Sequence, residues 1–221
     1  MNILVVAPHA DDEILGVGGA IAKYIDEGHK VYVCIVTRGH LSMFPEEILL
    51  KLREEVISAH NYLGVEETIF IDFPAVLLSE VPKWEINKKI NEVVEKISPQ
   101  IVYIPHFGDM HLDHDIVAKA TMVAVRPIKN NKVLEVYSYE TLSETEWNVP
   151  HSSNTFIPNT YVDISNYIDK KVNAMSYFTT QLKDFPHPRS LEAIRSLAKL
   201  RGSTVGVNAA EAFSLVRRII L

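Results

Sequence analysis

Two short runs in this sequence concentrate side chains that bind metals and move protons. The first is Pro8-His9-Ala10-Asp11-Asp12-Glu13, with four donors in five consecutive positions. A single Asp there would serve as the N-cap of a following helix. Three adjacent carboxylates repel one another and require a cation or a proton. The second run is His106-Phe107-Gly108-Asp109-Met110-His111-Leu112-Asp113-His114-Asp115, where His111 and His114 stand three apart with Asp113 between them. On a helix, positions i and i+3 share one face. Two His and one carboxylate suit Zn²⁺, and three protein ligands leave a fourth position open for water. The mixed nitrogen and oxygen set also admits Fe²⁺ or another divalent ion. The residues themselves point to His9, one of the two Asp, and either His111 or His114. Those left over match the needs of a metal hydrolase: a carboxylate to accept a proton from water, a His to steady an oxyanion, and a carboxylate to fix a His tautomer.

These runs need elements to bring them together. Five apolar, β-branched stretches read as buried strands: Asn2–Ala7, Val31–Thr37, Thr68–Ile71, Ile101–Pro105 and Val133–Tyr137. Helical patterns lie between them at Gly18–Glu27, Glu46–Leu63, Trp84–Ile97 and His114–Val125. Gly64 is placed to cap the second of these. Beyond Ser138, a loop over 141–158 is expected, then helices at Ser165–Thr179, Ser190–Leu200 and Ala209–Arg218. Strand–helix alternation predicts an α/β, Rossmann-like fold, mostly parallel, with helices on both faces of the sheet. The chain is expected to form a single domain over 1–221 with a helical C-terminal part. In such folds ligands sit beyond the carboxyl ends of the strands, and the two runs follow the first and fourth strands. Gly16-Val17-Gly18-Gly19 is not a dinucleotide fingerprint, because an acidic turn precedes it and Ile21 stands where the third Gly belongs. Close helix–sheet packing explains these glycines better.

The chain has 221 residues, 47% of them hydrophobic and 23% charged, which excludes disorder as its main state. A net charge of -6 gives no footprint for nucleic acid, and no polybasic segment suits a membrane surface. The first twenty residues lack a basic n-region, and no apolar run is long enough for a membrane span. The one cysteine, Cys34, has no partner for an internal disulfide and lies in an apolar strand pattern, so a reducing, cytoplasmic setting is expected.

Pro8-His9-Ala10-Asp11-Asp12-Glu13 resembles the A-H-P-D-D-E motif, and His111-Leu112-Asp113-His114 the H-P-D-H motif, of the PIG-L/LmbE family of zinc-dependent N-acetylglucosaminyl deacetylases. Arg53-Glu54-Glu55, Pro158 to Ile164, Arg201-Gly202 and Ala210-Glu211-Ala212-Phe213 extend the likeness almost end to end. The resemblance implies one Zn²⁺ per chain on His9, Asp12 and His114, and Asp11 as general base. It implies that His111 stabilises the oxyanion or protonates the amine, with Asp113 tuning it. It also places Arg53 and Asp72 near the sugar. His187, in Pro186-His187-Pro188-Arg189, is a further substrate-binding candidate. The implied substrate is a small N-acetylated amino sugar or its conjugate, and family members often form homo-oligomers. Two departures stand out: Ala10 and Leu112 replace prolines that stiffen loops, without changing the donors. Asp109 stands close to where some members carry a Tyr.

Two other function classes fit less well. A Mg²⁺-dependent phosphoryl-transfer enzyme could use Asp11-Asp12-Glu13, but Mg²⁺ prefers oxygen ligands, which His9 and His114 are not. A non-catalytic sugar- or nucleotide-binding module would have lost a ligand or the base, and all are present. A nucleophilic hydrolase lacks its G-x-S-x-G turn.

Overall fold

The computed structural model describes residues 1–128 and 131–221. β1 (Asn2–Ala7) lies at the middle of one sheet. To one side run β2 (Lys30–Arg38) and β3 (Glu67–Pro74); to the other run β4 (Ile101–Pro105) and β5 (Glu135–Tyr139). These five are parallel. β7 (Ala210–Arg218) then pairs antiparallel with β5, and β6 (Thr160–Asp163) closes the edge, giving the order β3-β2-β1-β4-β5-β7-β6. One sheet therefore takes strands from both ends of the chain.

The period of two in a strand decides what each face carries. Ile3, Val5 and Ala7 pack on one side with α1 (Asp12–Asp26), α2 (Glu46–Leu63) and α5 (Ile168–Ser176). Leu4 and Val6 pack on the other with α3 (Lys83–Ile97) and α4 (Leu112–Ala124). Cys34 is fully buried in this second layer, a core residue as its strand context predicts. α2 has the expected bounds, and Gly64 caps it at φ 91°. No helix among the described residues is long and apolar enough to cross a membrane.

Several expectations are corrected. α1 begins at Asp12 rather than Gly18, so the acidic run forms its first turn, where carboxylates favour the positive end of the helix dipole. The interior glycines mask that start, and packing explains them: a Cβ on Gly16 would lie 2.3 Å from the Tyr139 ring, and one on Gly19 2.7 Å from Ile164. The segment expected as a helix at Ala209–Arg218 is instead β7, hydrogen-bonded on both sides. Its Ala, Glu and Leu favour a helix locally, but strand pairing overrides that preference. β6, a short strand at the edge of the sheet, falls outside every expected element. The helix expected at Ser165–Thr179 is the shorter α5. The one expected at Ser190–Leu200 is α6 (Leu191–Val205), with the Ser190 hydroxyl accepting the Ala193 N–H at 3.1 Å.

Candidate active site

The chain leaves β1 toward β2 on one side and later enters β4 on the other. This topological switch point opens a crevice at the strand ends. His9 to Glu13 follow β1 into it, and His106 to His114 follow β4. Three atoms converge there. Asp12 Oδ2 lies 3.2 Å from His9 Nδ1 and 3.2 Å from His114 Nε2. Bonds of about 2.0–2.1 Å to a tetrahedral zinc imply ligand–ligand edges of about 3.3 Å, so the spacing fits. A second group, His9, His111 and Asp113, is also close enough to share an ion.

The outer hydrogen bonds of both rings point the same way. The Nδ1–H of His114 donates to Asp109 at 2.7 Å, which leaves Nε2 with a lone pair facing Asp12. That buried Nε2 has no hydrogen-bond partner among the described residues. The Nε2–H of His9 donates to Asp113 at 3.1 Å, leaving Nδ1 facing Asp12. Each ring is thus fixed in tautomer by an outer carboxylate, the usual support of a metal-binding His. Asp109 is held in turn by the Thr145 hydroxyl at 2.6 Å. Two lone-pair nitrogens and a carboxylate oxygen facing one another require a cation between them.

The electrostatics agree. Burial opposes charge on His9, but hydrogen bonds to Asp113 and Asp12 outweigh it and push the ring up to about 9. Burial also opposes charge on His114, yet Asp12 and Asp109 push it up to about 10. Burial works against ionisation of Asp12, but His114 and His9 hold its carboxyl well below the usual range. Without a metal, protons occupy the place a metal would take.

Asp11 precedes α1 with φ 109°, a backbone angle costly for any side chain and typical of functional sites. Its Oδ2 is buried and without a hydrogen-bond partner among the described residues, with Arg189 Nη1 at 3.5 Å. Burial pushes Asp11 up to about 8, against the pull of Arg189, into the range of a proton acceptor near neutrality. His111 is the N-cap of α4, and its Nδ1 accepts the Asp113 N–H at 3.2 Å. That fixes Nε2–H as a free donor. Burial and the neighbouring His9 ring push His111 down to about 4, so it is neutral.

His9, Asp11 and His111 line a cavity of about 410 Å³, while Asp12, Asp113 and His114 are buried behind it. Arg53 and Asp72 also line it, joined by hydrogen bonds from Arg53 Nη1 of 2.9 and 3.0 Å. His187 does not line the cavity; it packs edge-on against Trp147 at 5.5 Å. Two residues on, Arg189 does line it, clasped by Ser143, Gln181 and Glu144. Asp113 bonds His9, and lies 3.9 Å from the Nδ1 of His111, the ring it is expected to tune. The cause is local: the backbone N–H of Asp113 already occupies that nitrogen. Arg189 and Glu144 have no signal in the sequence, being lone charges in unremarkable loops.

Fold and site together define a Rossmann-like α/β protein with a His/Asp cluster suited to a divalent ion at its switch point. The family described as GlcNAc-PI de-N-acetylase matches residues 4–125, and the chain belongs to this PIG-L family. A probable N-acetyl-alpha-D-glucosaminyl L-malate deacetylase 2 of Bacillus anthracis is 27% identical over 192 residues, covering 81% of each chain. The diacetylchitobiose deacetylase of Thermococcus kodakarensis is 27% identical, covering 100% of this chain and 85% of its own. Among solved structures, GalB, the 4-carboxy-2-hydroxymuconate hydratase of Pseudomonas putida KT2440, superposes with a TM-score of 0.79 at 21% identity, covering 100% of this chain and 98% of that one. That likeness shows the fold alone, and a hydratase on this fold means the reaction must be argued from the site.

Proposed function

We propose that this chain is a metal-dependent hydrolase that removes the N-acetyl group from an N-acetylglucosamine-type amino sugar or its conjugate, releasing acetate. The observation that carries this reading is the convergence of His9, Asp12 and His114, with Asp11 and His111 lining the adjoining cavity. Both deacetylase relatives named above act on N-acetylated glucosamine units, which favours an amide over the hydratase chemistry of GalB. His9, Asp12 and His114 would hold the ion, and their mixed donor set favours Zn²⁺. Bound there, the ion would supply Lewis acidity for an acyl oxygen and for water.

The chain's own groups do the rest. Asp11 takes the proton from the attacking water as the new C–O bond forms. His111 donates its Nε2–H to the oxygen on which charge develops. Asp11 returns the proton to the nitrogen as the C–N bond breaks, so acetate and a free amine leave. Arg189 keeps Asp11 oriented, and Asp113 fixes the His9 ring. Arg53 and Asp72, which line the same cavity, contact the sugar.

The test is acetate release from free N-acetylglucosamine, the chitin disaccharide, a UDP-linked sugar and an aryl glycoside, using chain stripped of metal and reloaded with zinc. Metal-dependent release from at least one supports the reading. Zinc binding without acetate from any of them removes the substrate class and leaves the metal site. Asp11→Asn is expected to bind one zinc and lose about 10²–10⁴-fold in kcat; full activity in that variant would take Asp11 out of the proton transfer.

A further inference from the structure

An acetamide and a sugar ring carry no charge, so a site built for them alone needs no spare cations. The cavity beside His9 and Asp11 nevertheless has four cationic residues in its lining: Arg38, Arg53, Lys183 and Arg189. Two are neutralised within the protein. Arg53 is paired with Asp72, and Arg189 with Asp11 and Glu144. The other two are held less. Arg38, at the end of β2, has only a loose ion pair with Glu46 at 3.8 Å and no hydrogen bond to it; Glu46 is exposed and Arg38 half-buried. Lys183 makes no ion pair among the described residues; its only hydrogen bond is from its backbone N–H to the Arg189 carbonyl. These spare charges stand out in a chain of net charge -6. Much of the remaining wall is apolar, from Ile35, Phe44, Leu49, Leu52 and Phe70.

From this juxtaposition we infer that the substrate carries an anionic substituent, a carboxylate or a phosphate, that enters the cavity and is bound by Arg38 and Lys183. The inference rests on the deacetylase reading and deepens it. Cations on the wall of a cleft that are unpaired or only loosely paired focus the local field toward anions and form charge-assisted hydrogen bonds with them. The negative charge of the whole chain does not oppose this, because charges beyond about 8–10 Å are screened at ordinary ionic strength. A neutral conjugate such as a chitin disaccharide would leave both cations unused.

The experiment compares an N-acetylglucosaminide whose aglycone bears a carboxylate, the same aglycone as its primary amide, and a phosphate-bearing counterpart, on zinc-loaded chain. At low salt the better anion is expected to exceed the amide in kcat/KM by about tenfold, the yield of one charge-assisted contact. The gain should lie in KM and shrink as salt rises. Arg38→Met/Lys183→Met should abolish the preference, and Arg38→Lys/Lys183→Arg should restore most of it. The better of the two anions identifies the natural group. Equal kcat/KM for acid, phosphate and amide overturns the inference and leaves deacetylation standing, as does a preference that survives the double Met variant. Acetate from none of the three overturns the deacetylase reading instead. Calorimetric titration of the same compounds then decides: tighter binding of an anion, lost in the double Met variant, upholds the cation assignment, and equal or absent binding overturns it.

Discussion

His9 and His114 use both ring nitrogens, one toward Asp12 and one toward an outer carboxylate. The outer partner does more than hold the ring still. A carboxylate accepting from one nitrogen raises the basicity of the other, the one that would meet the metal. Asp109→Asn keeps the shape and removes the charge. It is expected to weaken zinc binding by about 10–100-fold, read by competition with a chromophoric chelator; unchanged affinity would leave Asp109 with no part in supporting the ion. Asp109 shows how much of the site is legible in the sequence. His9, Asp11, Asp12, His111 and His114 can be picked out because each run holds its chemistry within a few positions, at a strand end. Asp109 is in plain view in the second run, but nothing in the spacing reveals that it faces His114. Arg189 and Glu144 are beyond reach, since only the folded chain brings Arg189 to Asp11 and Glu144 to Arg189.

At the scale of elements, α1 presents Asp12 to the site and is itself held from behind. Glu211 on β7 accepts the N–H of Gly19 at 2.8 Å and of Ala20 at 2.7 Å, in the middle of that helix. Lys171 on α5 donates to the Leu15 carbonyl and to Glu211, both at 2.7 Å. Leu15 is the residue whose carbonyl Gly19 would bond in an ideal helix. The buried pair therefore docks into the ladder of α1 and ties it to two later elements. Removing one partner of such a pair leaves the other charge uncompensated, so Lys171→Met or Glu211→Gln should cost about 3–5 kcal/mol. Urea unfolding reads this, and a double Lys171→Met/Glu211→Leu variant should lose less than the sum of the single losses. Additive losses would mean the two residues act separately. The same contact explains why β7 reads as a helix. Glu211 looks like a solvent-facing carboxylate until α1 and α5 supply its partners, whereas the packing role expected of Gly16 to Gly19 is met by Tyr139 and Ile164. The parallel strands needed no such help, because their apolar runs carry the burial by themselves.

Across the whole molecule, the three proposed ligands join the ends of β1 and β4, the two strands at the switch point from which the halves of the parallel sheet diverge. An ion there binds the folded chain and not the unfolded one, and so stabilises it by about 2.7 kcal/mol at one hundred times its dissociation constant. Its competitor is the proton. In the metal-free chain His9 and His114 hold theirs up to about pH 9 and 10, well above the value near 6.5 of an unfolded imidazole. Their protonation therefore stabilises the metal-free fold fully below about pH 6.5, and this contribution is lost as pH rises through 9 and 10. Metal binding must expel these protons, so its affinity climbs with pH over the same window. The expected result is a zinc-induced rise in Tm that is small at pH 6 and grows toward pH 9, while the metal-free Tm gains nothing from these rings over that interval. Thermal melts with and without zinc at each pH measure both. A shift of equal size at pH 6 and 9 would mean that zinc does not displace protons from His9 and His114, and would move the ion to other residues. His114→Ala separates the cases, because it removes one ring and should flatten the pH dependence as well as reduce the shift.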